Sequence, residues 1–122
     1  MITFFYVILG GGIGSGLRYM LSKSFSHILI FNIPIIILII NIIGSFIMGI
    51  VFQYANQNDL SENLKLFLTA GILGSFTTFS TFSLETYQLM IDNKITEAII
   101  YITASVLISL IALYLGIIFI KR

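Results

Sequence analysis

Apolar residues fill this chain in four long runs, and polar residues collect in the three short stretches between them. The runs lack two-residue alternation, and each matches the ~20 residues that a helix needs to cross a ~30 Å hydrocarbon core. They predict membrane helices at about 2–22, 33–54, 63–90 and 96–120. The separating stretches, KSFSHILIFN, ANQNDLSEN and IDNKIT, leave no room for a second domain. The expected fold is an all-α integral membrane protein, one four-span domain over residues 1–122. The first run has no leading basic region and no small-x-small cleavage site, so it reads as a span and not as a signal peptide. Pro34 suits the first turn of the second span, where its missing N–H costs nothing. Asp59 or Ser61 suits the cap of the third.

The third run departs from the pattern. Gly71 to Ser83, GILGSFTTFSTFS, packs two glycines, three threonines, three serines and three phenylalanines into thirteen positions at bilayer depth. A lipid-facing helix has no use for so many small and hydroxyl residues, which points to contact with something other than lipid. As one continuous helix, Leu64 to Met90 would measure about 40 Å, longer than the hydrocarbon core is thick. A break near Gly74–Ser75 shortens it: glycine permits unusual dihedrals, and nearby hydroxyls satisfy freed backbone groups. Unwound carbonyls are then candidate cation ligands.

Composition narrows the class. With 58% apolar and 9% charged residues, almost nothing lies outside the bilayer. The absence of cysteine excludes disulfides and thiolate metal sites. His27 and the five scattered carboxylates form no recognisable metal cluster. A net charge of +1 gives no reason to expect nucleic acid as a partner. Lysine and arginine do bear on orientation. One side of a four-span arrangement carries Lys65, Lys121 and Arg122, and the other Arg18, Lys23 and Lys94. Excess positive charge sets topology, and here neither side has it. Either a weak bias decides, or copies insert both ways up and pair as an antiparallel, dual-topology homodimer.

The remaining spans carry isolated polar groups. In the first, GGGIGSGLRY misses the G-x-G-x-x-G spacing and follows no strand, so its glycines read as packing sites, Gly10 with Gly14 and Gly12 with Gly16. Arg18 lies about a turn from the span's end, either snorkelling to the interface or forming a cationic funnel for an anion path. In the second, Asn41, Ser45 and Gly49 recur every fourth residue as one small, polar stripe. Asn41 either bonds a neighbouring helix or donates to a permeating anion. In the third, Phe79, Phe82 and Glu85 share a face: plain packing, or ring edges whose partial positive charge meets an anion. Glu85 at that depth needs a partner or water. In the fourth, Tyr101, Ser105 and Ser109 line one face, as helix-bonding hydroxyls or as a ladder for a partly dehydrated anion.

These motifs together resemble the CrcB/Fluc family of fluoride channels over essentially the full chain. The likeness rests on R-Y at Arg18 and Tyr19, N-x-x-G-S-F at Asn41 to Phe46, G-x-x-G-S-F-T-T-F-S-T-F at Gly71 to Phe82, and the spaced hydroxyls of the fourth span. The third-span motif is the specific one. The family commonly shows two adjacent glycines before T-T-F-S-T-F, and here the second is Ser75. The resemblance implies a passive, selective export route for cytoplasmic fluoride in the cell membrane, built as an antiparallel homodimer with two pores. It implies that the ring edges of Phe79 and Phe82 meet fluoride and that Asn41 donates to it. Tyr101, Ser105 and Ser109 match a polar track with Glu85 near it, and Arg18 matches a vestibule arginine. The main-chain carbonyls of Gly74 and Thr77 match those that hold a central sodium ion (Na+).

Two rivals compete with that reading. One is a dual-topology, proton-coupled exporter of small molecules that uses Glu85 as its titrating carboxylate. The other is a packing partner for another membrane protein that transports nothing itself.

Overall fold

The computed structural model describes residues 1–121. Four helices are long and apolar enough to cross a membrane: span 1, Ile2–Phe25; span 2, Ile36–Asn58; span 3, Glu62–Ile91; and span 4, Ile95–Lys121. In hydrocarbon a backbone must satisfy its own N–H and C=O groups, and a helix does so within one segment. The small residues in these sequences decide how the helices meet.

The stretch between spans 1 and 2 is more ordered than a polar loop. Leu29–Ile30 pairs antiparallel with Ile33–Pro34, closing a two-residue turn at Phe31 and Asn32, both with positive φ (50° and 64°). A turn with φ positive at both central residues has the twist that a tight hairpin needs. Pro34 therefore ends the hairpin, and span 2 begins beyond it at Ile36. The proline is not in the helix's first turn as the sequence suggested. At the head of span 3, Ser61 is the cap, accepting from the Leu64 N–H at 3.3 Å. Asp59 instead takes a left-handed conformation that ends span 2.

Two glycine seams hold the spans together. Gly10 and Gly14 of span 1 lie against span 3, so a Cβ on Gly10 would sit 2.5 Å from the Phe67 carbonyl oxygen, and one on Gly14 would strike the Ile72 carbonyl. Span 3 is π-helical at this contact, over Phe67–Leu73. The second seam is reciprocal. Gly49 of span 2 faces the Leu113 carbonyl of span 4, and Gly116 of span 4 faces the Phe46 carbonyl of span 2. A Cβ on Gly12 or Gly16 would meet nothing within 4 Å among the described residues, so the second expected glycine pair packs no neighbour there.

Span 3 is broken, though not where its glycine suggested. It runs as α-helix over Glu62–Leu66, π-helix over Phe67–Leu73 and α-helix again over Gly74–Phe76, then restarts at Ser80. Gly74 and Ser75 stay helical, and the gap falls at Thr77–Phe79, with Thr77 extended at φ −80°, ψ 156°. The position of the gap follows from what captures the backbone there.

The seams make a contrast testable. Gly14→Ala drives a methyl into backbone that cannot yield, and overpacking of this kind costs about 1–3 kcal/mol. Gly16→Ala meets open space. Thermal unfolding of the purified protein should show a clear drop for the first and none for the second. Equal drops would refute the seam.

Candidate functional site

The helix break is held by a side chain acting as a strand. The Thr78 N–H donates to Asn41 Oδ1 at 2.8 Å, and Asn41 Nδ2 donates back to the Thr78 carbonyl at 3.0 Å. The amide of span 2 thus pairs with one peptide of span 3 as a neighbouring β-strand would. This removes the N–H that a continuous helix would have aimed at the Gly74 carbonyl. Downstream, the Thr81 N–H donates to Thr78 Oγ1 at 3.3 Å, as at a helix cap, and that frees the Thr77 carbonyl. Among the described residues, neither the Gly74 nor the Thr77 carbonyl accepts a hydrogen bond. The Ser75 carbonyl is taken by Arg18 Nε at 3.1 Å.

Beside the break lies a cavity of about 500 Å³, open at one side. Span 2 contributes Asn41 and Ser45; span 3 contributes Gly74, Thr77, Thr78, Phe79 and Phe82; span 4 contributes Ser105, Val106, Ser109 and Leu110. The hydroxyls of Ser105 and Ser109 are buried and have no partner among the described residues. Buried hydroxyls normally find a partner, so these two, both on the cavity lining, are free to donate into it. Phe79 and Phe82 flank this space with ring centroids 5.4 Å apart and planes tilted by 58°. Phe82 is 7% exposed, whereas Phe79 is 76% exposed at the cavity's open side.

Other residues singled out from the sequence stand one layer back. Tyr101 is fully buried, stacks at 5.2 Å on Phe82, and donates its hydroxyl to Glu85 Oε2. The pair supports Phe82 from behind and does not line the cavity. The tyrosine also answers Glu85's need for a partner within the span. Arg18 reaches the break from span 1, which contributes nothing to the cavity wall. Of the named residues, the fold gathers Asn41, Gly74, Thr77, Phe79, Phe82, Ser105 and Ser109 around one space.

The family described as CrcB-like protein, Camphor Resistance (CrcB), matches residues 5–117. The chain belongs to the CrcB family. Similar proteins within it carry the name fluoride-specific ion channel FluC. The Parabacteroides distasonis protein is 41% identical over 118 residues, covering 97% of this chain and 92% of that one. That of Flavobacterium psychrophilum is 41% identical over 123 residues, covering 100% and 99%. The FluC 1 of Methanosarcina acetivorans is 41% identical over 117 residues, covering 95% and 88%.

Three features of this CrcB chain escaped sequence reasoning. Thr78 and Thr81 looked like two more hydroxyls in a polar run, yet Thr78 supplies the captured peptide. Gly116 was the one glycine in an otherwise greasy span, a signal that pointed to close packing had it been set against Gly49. Ser45 shared a stripe with Asn41 and Gly49, but the stripe divides: Asn41 and Ser45 face the cavity and Gly49 faces span 4.

Replacing Asn41 by Leu leaves the N–H and C=O of Thr78 unpaired. With each unsatisfied buried group costing about 1–3 kcal/mol, the variant should unfold several degrees earlier, and its Thr78 amide should exchange faster with deuterium. Asn41→Asp keeps the acceptor for the Thr78 N–H, so that amide should remain the better protected of the two.

Proposed function

We infer that this chain is a passive, selective fluoride channel that lets cytoplasmic fluoride leave the cell, and that it lies as a multi-pass protein in the plasma membrane. The observation that carries the reading is the cavity. It joins the Asn41 amide, two orphan serine hydroxyls and a pair of phenyl rings beside a helix break, with no fixed charge on its wall. Fluoride is small and holds water tightly, so a selective path must replace hydration with short donors without binding too strongly for release. Asn41 spends one Nδ2 hydrogen on Thr78 and keeps the other for the ion. The hydroxyls of Ser105 and Ser109 continue the track. The edges of Phe79 and Phe82 offer the positive rim of the ring quadrupole. The names of the relatives identify the anion. The geometry alone asks for a small one.

The reading extends to assembly. Phe79 stands exposed and the cavity is open on one side, which suits completion by a second copy. The balance of Lys and Arg across the spans suits insertion both ways up. An antiparallel homodimer joins two broken helices face to face, with Gly74 and Thr77 carbonyls from each. Those carbonyls fit a hard cation such as Na+, which takes oxygen donors, and no other hydrogen bond competes for them. Among the described residues no cluster of acidic or histidine side chains offers an alternative metal site. Bound there, the ion supplies positive potential that favours anions nearby. The protein is not an enzyme.

Liposomes loaded with fluoride test the function. Efflux should be electrogenic and independent of any proton gradient, and silence would overturn the channel. Phe79→Ile or Phe82→Ile should cut flux, and unchanged flux in both would sink the role of the ring edges. Glu85→Gln should retain passive flux, since the amide oxygen still accepts from Tyr101; loss of flux together with pH-driven substrate export would favour the coupled exporter. Two lysines added to one side should bias insertion and lower activity, and an oppositely biased copy should restore it.

A further inference from the structure

Arg18 lies outside the cavity, yet it touches both sides of the break. Its Nε donates to the Ser75 carbonyl at 3.1 Å, within the helical turn before the gap. Its Nη1 reaches Thr81 Oγ1 at 3.5 Å, within the first turn after it. Thr81 also closes the downstream cap, through its N–H to Thr78 Oγ1 and a hydroxyl contact of 3.4 Å with the same atom. One planar group therefore spans the unwound Thr77–Phe79 segment from span 1, while Asn41 holds the middle of that segment from span 2.

We propose that Arg18 is a positioning residue that fixes the two halves of span 3 at a set separation and sorts the carbonyls of the break. Ser75 is bound to the arginine and Thr78 to Asn41, while the Gly74, Phe76 and Thr77 carbonyls accept no hydrogen bond among the described residues. A guanidinium suits the task because its donors sit on separate nitrogens in a rigid fork. A lysine ammonium carries the same charge at a single point and lacks the two separated donor nitrogens that here meet Ser75 and Thr81. This separates the clamp from a cationic funnel, for which charge alone suffices and salt screens the effect. The proposal deepens the channel reading, since a loosened break displaces the carbonyls and the Phe79 ring together.

The test compares Arg18→Lys, Arg18→Gln, Thr81→Val and Thr81→Ser in the full chain reconstituted into lipid, with two readouts. Amide hydrogen exchange over 77–81 should speed up about tenfold in Arg18→Lys and Arg18→Gln alike, the scale of one hydrogen bond to a charged group. Fluoride flux should fall comparably in both variants, at low and at high salt. Thr81→Val should loosen the same amides and Thr81→Ser should not. The double variant Arg18→Lys with Thr81→Val should be little worse than Arg18→Lys alone, as expected when two residues share one contact. Lysine that preserves wild-type flux and protection, with a glutamine defect that disappears at high salt, would overturn the clamp in favour of a funnel. If both arginine variants fail to fold, unchanged exchange over 77–81 in Thr81→Val would still overturn the clamp. Exchange rates need no fluoride, so a silent wild-type protein would refute the channel while leaving the clamp to be judged separately.

Discussion

One peptide held by one side chain organises this molecule. The Asn41 amide pairs with both polar groups of the Thr78 peptide, so the backbone leaves the helix at bilayer depth without stranding that N–H in hydrocarbon. Once that peptide is captured, the Gly74 carbonyl is released, Thr77 extends, and the chain restarts at Ser80 facing a new direction. The site is therefore a consequence of how the break is satisfied. The same residue that opens the helix also stands on the cavity wall.

Around this point the layers divide their labour. The cavity wall offers weak donors and ring edges, and the groups with formal charge are kept behind it. Glu85 is engaged by Tyr101 in the layer behind Phe82, and Arg18 is occupied with Ser75 and Thr81. A fixed charge directly on the path would hold an ion tightly enough to slow its exit. Setting the charges back leaves the cavity wall polar and uncharged.

Much of this was legible in the sequence, for identifiable reasons. Four helices follow from run length, because hydrocarbon permits so few backbone solutions. The break followed from glycines and hydroxyls in a run too long to stay straight. Its exact place did not, because Gly74 tolerates a helix as readily as a kink, and the choice was made by Asn41 from another span. Contacts of that kind, between residues 37 positions apart, leave no local trace. The hairpin was missed because Leu29, Ile30 and Phe31 read as the apolar margin of a loop. Its turn rests on Phe31 and Asn32 adopting positive φ, which phenylalanine seldom does. The ion itself was legible only through likeness to relatives, since periodicity describes faces and not hydration energies.

The two glycine seams have a consequence for how such a protein ages under mutation. A water-soluble core is usually injured by shrinkage, when a large side chain is lost and a void remains. Here the spacing between helices is set by main chain against main chain at Gly10, Gly14, Gly49 and Gly116, and nothing at those positions is left to remove. Every coding change there adds atoms. The seams are thus brittle toward growth alone, the reverse of the asymmetry familiar from globular cores, and they hold only as long as those positions stay bare.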